Sequence, residues 1–119
     1  MRPASGNGQD GIRIERSAGG FPATGNRVSG NLIGTNAAGT VELRNQMHGV
    51  FLRGITSPTG VSGNVIGGST PPARNVISGN RLDGVRIEMG SENVVSNNYI
   101  GIDLFGESVL PNGRDGIVV

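Results

Sequence analysis

The chain contains no cysteine, no lysine and no tryptophan among its 119 residues. Without Cys there are no disulfides and no thiol chemistry, and the redox compartment stays open. Without Lys, all 10 basic side chains are Arg, set against 9 acidic ones for a net charge of +1. The signs are interspersed, so no electrostatic footprint for nucleic acid is present. Phe21, Phe51, Phe105 and Tyr99 are the whole aromatic set. That is too little bulk for a conventional two-layer core, and a thin, ladder-like core fits better. No apolar run approaches the ~20 residues needed to cross a bilayer, which argues against membrane insertion. Met1 to Ser5 lacks the apolar stretch of a signal peptide, so the chain read literally would be cytoplasmic. A Walker loop, a Gly-x-Ser-x-Gly elbow, a dinucleotide fingerprint and a Ca²⁺-loop spacing are all missing, so neither cofactor nor metal is expected.

What is abundant is Gly, at 22 residues, and Asn, at 12. They recur in a pattern. Asn80-Arg-Leu-Asp-Gly-Val-Arg-Ile-Glu88 matches Asn7-Gly-Gln-Asp-Gly-Ile-Arg-Ile-Glu15, Asn45-Gln-Met-His-Gly-Val-Phe-Leu-Arg53 and Asn112-Gly-Arg-Asp-Gly-Ile-Val-Val119. These are internal repeats, which set the architecture before anything else does. After each Gly, apolar residues take every second place: Ile12 and Ile14, Val50 and Leu52, Val85 and Ile87, Ile117 and Val119. Period two predicts a strand with one buried face. Stacked in parallel, the opposite face would bring Glu15, Arg53 and Glu88 into alternating charge.

A second phrase follows the first three copies: Asn26 to Gly34, Thr59 to Gly67 and Asn93 to Gly101. Its apolar members predict inner columns Val28-Val61-Val95 and Ile33-Ile66-Ile100, beside Ile14-Leu52-Ile87-Val119. Gly or Asn at the intervening bends tolerates the left-handed backbone of a sharp turn. Asn ladders are expected at Asn7-Asn45-Asn80-Asn112 and at Asn31-Asn64-Asn98, with amides bonded along the stacking axis. The steps Gly11–Gly49, Gly49–Gly84 and Gly84–Gly116 span 38, 35 and 32 residues. Constant strands with uneven connections predict variable loops confined to one side of a solenoid.

Leucine-rich and helical repeats are excluded by spacing, left-handed hexapeptide helices by the lack of a step of six, and propellers by the lack of recurring hairpin turns. The phrases Asn-x-[Val/Ile]-Ser-[Gly/Asn]-Asn-x-Ile-Gly and Asp-Gly-Val-x-Ile resemble the repeats of right-handed parallel β-helix proteins of the pectin lyase-like superfamily, over essentially the whole chain. The resemblance implies an all-β, right-handed parallel β-helix of about three to four coils, residues 1–119 forming a single domain. Because the sequence opens and closes inside repeats, it is expected to be part of a longer solenoid, or to associate end to end through uncapped coils. The resemblance also implies a secreted or cell-surface bacterial protein with a structural or adhesive role, offering a strand-built face to polysaccharide. Alternatives of other classes are a carbohydrate-active enzyme (lyase, epimerase or glycosidase) and an assembly or spacer module.

The candidate chemistry is the column Asp10-His48-Asp83-Asp115, one residue before the strand Gly in each copy. In register its members would lie ~4.8 Å apart, close enough for paired carboxylates or a proton-transfer His48. Arg86, outward on the adjoining strand, would complete an enzyme reading centred on His48, Asp83, Asp115 and Arg86. Against it stands a structural account: Asp before Gly commonly closes a turn by bonding its own backbone, and a residue present in every repeat usually serves the repeat. Arg13, Arg86, Glu15, Glu88 and Arg53 likewise read first as a salt-bridged outer wall.

Overall fold

The computed structural model describes residues 2–119. Among them there is no α-helix, only a single 3-10 turn at Pro71–Ala73, and every strand pairing is parallel. The chain visits four sheets in turn and then begins again. The first sheet holds Ile12–Glu15, Val50–Arg53, Val85–Glu88 and Ile117–Val118; the second holds Ala23–Thr24, Val61–Ser62 and Gly90–Ser91. The third holds Arg27–Val28, Val65–Gly67 and Val94–Ser96, and the fourth Arg2–Ala4, Asn31–Ile33, Val76–Ile77 and Tyr99–Ile100. Each strand pairs with its equivalent in a neighbouring pass, and those inside a sheet pair with both the preceding and the following one. All-parallel sheets whose strands each come from a successive pass are the arrangement of a β-solenoid.

The core is the inward column of each sheet. Ile12, Val50, Val85 and Ile117 stand in register, as do Ile14, Leu52 and Ile87. Val50, Leu52, Val85 and Ile87 join Val28, Ile33, Val61, Ile66 and Ile77 in one buried cluster. Val119 lies beyond the last strand and is exposed, so the fourth member expected of the Leu52 column does not join it. The strand Gly has a steric cause. A Cβ on Gly11, Gly49 or Gly84 would lie 2.7, 2.6 and 2.6 Å from the carbonyl oxygen of Gly49, Gly84 and Gly116, the same position one pass on.

The other two predicted columns are corrected. Val28 pairs with Ile66 and Ile66 with Val95, whereas Val61 stands between Ala23 and Gly90. Ile33 pairs with Ile77, and Ile77 with Ile100. The reason is local: a Gly-Asn bend marks both the second-to-third and the third-to-fourth turns. The similar phrases around Val28 and Val61 therefore occupy different sheets. Length variation is also not confined to one side. Turns from the second to the third sheet are constant (25–26, 63–64, 92–93), but those from first to second (16–22, 54–60, 89), third to fourth (29–30, 68–75, 97–98) and fourth to first (5–11, 34–49, 78–84, 101–116) all vary.

The two long fourth-to-first loops flank a short one. Each is pinched by an antiparallel bridge, Thr35 to Glu42 and Ile102 to Val109. They meet across the intervening pass, where the Leu104 N–H donates to the Gly39 carbonyl at 2.8 Å. Beneath them runs an outward apolar stripe of the fourth sheet, Leu32, Val76 and Tyr99 in register. Leu32 and Val76 are buried although they lie outside the main cluster. Gly39 sits so close that a Cβ there would be 3.3 Å from Leu32 Cδ2 and 2.6 Å from Leu104 Cβ.

Candidate functional site

Just before the first sheet, each pass crosses two ladders three residues apart. The Asn ladder is Asn7, Asn45, Asn80 and Asn112. Asn45 Oδ1 accepts from Asn7 N–H at 3.1 Å and from Asn7 Nδ2 at 2.9 Å, while its Nδ2 donates to the Ala4 carbonyl at 2.9 Å and to Asn80 Oδ1 at 2.8 Å. Both donors and two acceptor sites of a buried amide are thereby used. The same scheme holds Asn26-Asn64-Asn93 and Asn31-Asn75-Asn98. Asn64 thus belongs to the ladder of Asn26, and Asn75 takes the place between Asn31 and Asn98 that the sequence reading gave to Asn64.

The second ladder is the predicted column. His48 N–H donates to Asp10 Oδ1 at 3.0 Å, Asp83 N–H to His48 Nδ1 at 3.3 Å, and Asp115 N–H to Asp83 Oδ1 at 3.0 Å. Each side chain therefore caps the backbone of the equivalent residue one pass on, not its own turn as expected. The imidazole substitutes for a carboxylate in this scheme. To accept there, Nδ1 must present a lone pair, which places the ring hydrogen of neutral His48 on Nε2.

The remaining carboxylate oxygens differ sharply. Asp10 Oδ2 is gripped by Arg13, whose Nε and Nη2 both lie at 2.9 Å. Asp83 Oδ2 accepts no hydrogen bond although Asp83 is 1% exposed. Its polar neighbours are His48 Nδ1 at 3.2 Å and Arg86 Nη1 at 3.7 Å. Asp10 and His48 are also buried, whereas Asp115 is exposed. Burial holds the His48 imidazole below its ordinary pKa of 6.5; Asp10 and Asp83 oppose this, and Arg86 and Arg114 reinforce it.

Of the sequence-predicted candidates, His48, Asp83 and Arg86 are thus brought together, and Asp115 is tied to them through its backbone. Phe51 was not among them, yet it shields the site. Its ring meets His48 edge to face at 5.1 Å and lies under Arg13 at 5.2 Å, so this outward residue is 7% exposed. The signal was present in the sequence, since an aromatic among charged outward residues needs cover. Further along, Glu15, Arg53 and Glu88 stand in register as expected: Arg53 Nη1 is 3.0 Å from Glu15 Oε1, Arg53 Nε is 3.9 Å from Glu88 Oε1, and Arg86 Nε reaches Glu88 Oε2 at 3.4 Å. Among the described residues no pocket opens and no group of three or more His, Asp or Glu is placed to hold a metal ion.

Chemically, the arrangement holds one imidazole and one buried carboxylate in contact, beside a guanidinium, in a wall that is otherwise internally paired. Comparison with protein-family profiles, with curated proteins and with solved structures found no match.

Proposed function

We propose that the chain is a structural segment of a secreted or cell-surface β-helix protein, right-handed and of the pectin lyase-like type, whose paired outer wall is offered to polysaccharide. The observation that carries this reading is where the polar side chains are engaged. Asp10, His48 and Asp83 cap the next pass, three Asn ladders tie pass to pass, and the Arg and Glu side chains of the wall bond one another. A wall committed to its own cohesion suits display and adhesion better than turnover.

One observation favours the enzymatic alternative: Asp83 Oδ2 is buried without a hydrogen bond beside His48 and Arg86, and unsatisfied groups of this kind concentrate at working sites. The test is co-sedimentation and turnover with neutral and acidic polysaccharides. Binding that survives His48→Gln and Asp83→Asn, with no products released, is the expected result. Turnover abolished by either change would install the enzyme reading in its place. Concentration-dependent assembly with no affinity for any glycan would favour an assembly module.

A further inference from the structure

We propose that His48 is an acid-sensitive joint in the stack, where one proton exchanges one of the hydrogen bonds between the second and third passes for a different one. The argument starts from a conflict of partners. Asp83 presents two groups to the same imidazole nitrogen: its N–H at 3.3 Å and its Oδ2 at 3.2 Å. A lone pair on Nδ1 serves the N–H and leaves Oδ2 unbonded, the assignment that agrees with the 3.3 Å contact and with an Oδ2 that has no hydrogen-bond partner. A hydrogen on Nδ1 serves Oδ2 through a charge-assisted bond and leaves the N–H facing a donor. The two states exclude each other, and a proton selects between them.

No other level of the column has this property. Between the first and second passes the acceptor is Asp10 Oδ1, and between the third and the last strand it is Asp83 Oδ1. Both are carboxylate oxygens, with no ring nitrogen that could exchange a lone pair for a hydrogen. The charged groups facing His48 are Asp10 and Asp83, which favour its protonation, and Arg86 and Arg114, which oppose it. Phe51 closes the remaining side. The Asp83 N–H leads directly into the strand bonds of Gly84 and Val85, so its release loosens the start of the third strand in the first sheet. This inference concerns the cohesion of the fold and holds whether or not the wall meets a glycan.

The test is backbone amide exchange of the intact chain, read by NMR between pH 7.5 and 5.0 and corrected for intrinsic rates. The Asp83 amide is expected to lose at least tenfold in protection as pH falls, while the His48 and Asp115 amides hold theirs. His48→Asp restores a carboxylate at this level and is expected to abolish the dependence. If that variant does not fold, the decision rests on the ¹⁵N ring resonances of the wild type, unambiguous because the chain has a single His. At pH 7.5 these should show hydrogen on Nε2 and a free Nδ1. Flat protection at Asp83, equal losses at all three amides, or hydrogen on Nδ1 at pH 7.5 would each overturn the proposal.

Discussion

The Asn ladder at Asn7, Asn45, Asn80 and Asn112 and the column at Asp10, His48, Asp83 and Asp115 belong to the same passes, three residues apart, yet solve the same problem unequally. An amide carries donors and acceptors on one planar group, so a stack of amides is self-complementary and can continue from pass to pass. A carboxylate is acceptor-only. One oxygen caps the next pass and the other needs a cation or donor from elsewhere. Arg13 supplies it to Asp10, but at Asp83 the nearest guanidinium nitrogen stands 3.7 Å off and the imidazole presents a lone pair. Repetition of a residue does not guarantee repetition of its environment.

The largest effect is expected from breaking the closed ladder. Asn80→Leu removes an amide whose Nδ2 serves the Ile33 carbonyl and Asn112 Oδ1 and whose Oδ1 serves Asn45. An orphaned group costs about 1–3 kcal/mol; the Ile33 carbonyl and Asn112 Oδ1 each keep one donor, so a loss of about 3 kcal/mol is expected, a large part of the ~5–15 kcal/mol stability of a domain this size. Asn64→Leu should behave alike, since Asn64 is also fully buried and fully bonded. Urea denaturation measures both, and an unchanged midpoint for either would refute the ladder as a source of cohesion.

Gly49→Ala tests the residue that separates the column from the strand. Its Cβ would lie 2.6 Å from the Gly84 carbonyl oxygen, 2.7 Å from Ile77 Cγ2 and 2.8 Å from Asn80 Nδ2. A cost of about 1–3 kcal/mol is expected. Gly8→Ala, with nothing within 4 Å of the added atom, is the matched control and should change the urea midpoint little.

A pH series separates the two ladders next. The amides do not titrate. His48, held below 6.5 by burial against the pull of Asp10 and Asp83, takes up a proton less readily folded than unfolded. Its contribution is therefore fully present above 6.5 and is lost as pH falls from there through the folded value. Urea midpoints should decline across that window in the wild type and stay flatter in His48→Gln. A steeper decline in the variant would reverse the assignment. The smallest effect belongs to the outer wall: Glu15→Gln removes the 3.0 Å contact with Arg53, and at this exposure it should cost about 0.2–1 kcal/mol, shrinking as salt is raised.

The first sheet was legible because it combines period-two apolar residues with a fixed Asn-x-x-[Asp/His]-Gly preface, and the inner column Ile14-Leu52-Ile87 and the Glu15-Arg53-Glu88 register follow from aligning those prefaces. The other sheets were harder. Ala23–Thr24 and Gly90–Ser91 carry little β-propensity of their own; their pairing with Val61–Ser62 comes from the neighbouring passes. A Gly-Asn bend states that the chain turns without stating which turn it is; Asn64 belongs to the ladder of Asn26 because the eight residues at 68–75 separate Val65–Gly67 from Val76–Ile77. At the candidate site, repeat spacing stacks His48 on Asp83, with Arg86 three residues further on. The direction of their hydrogen bonds, from backbone to side chain across passes, depends on a few tenths of an ångström and has no signature in composition or period.

The contact between Leu104 and Gly39 limits how this molecule can grow. Long fourth-to-first loops sit on alternate passes, and the short 78–84 turn between them leaves room for both. Two long loops on adjacent passes would compete for the same ledge over Leu32 and Val76. Duplicating one pass that ends in a long loop is therefore expected to jam that ledge, whereas duplicating a short-loop and long-loop pair keeps the alternation. Lengthening in even steps is the architectural rule this face imposes, and tandem-duplicated chains of both kinds, compared for soluble folded yield, would show whether it holds.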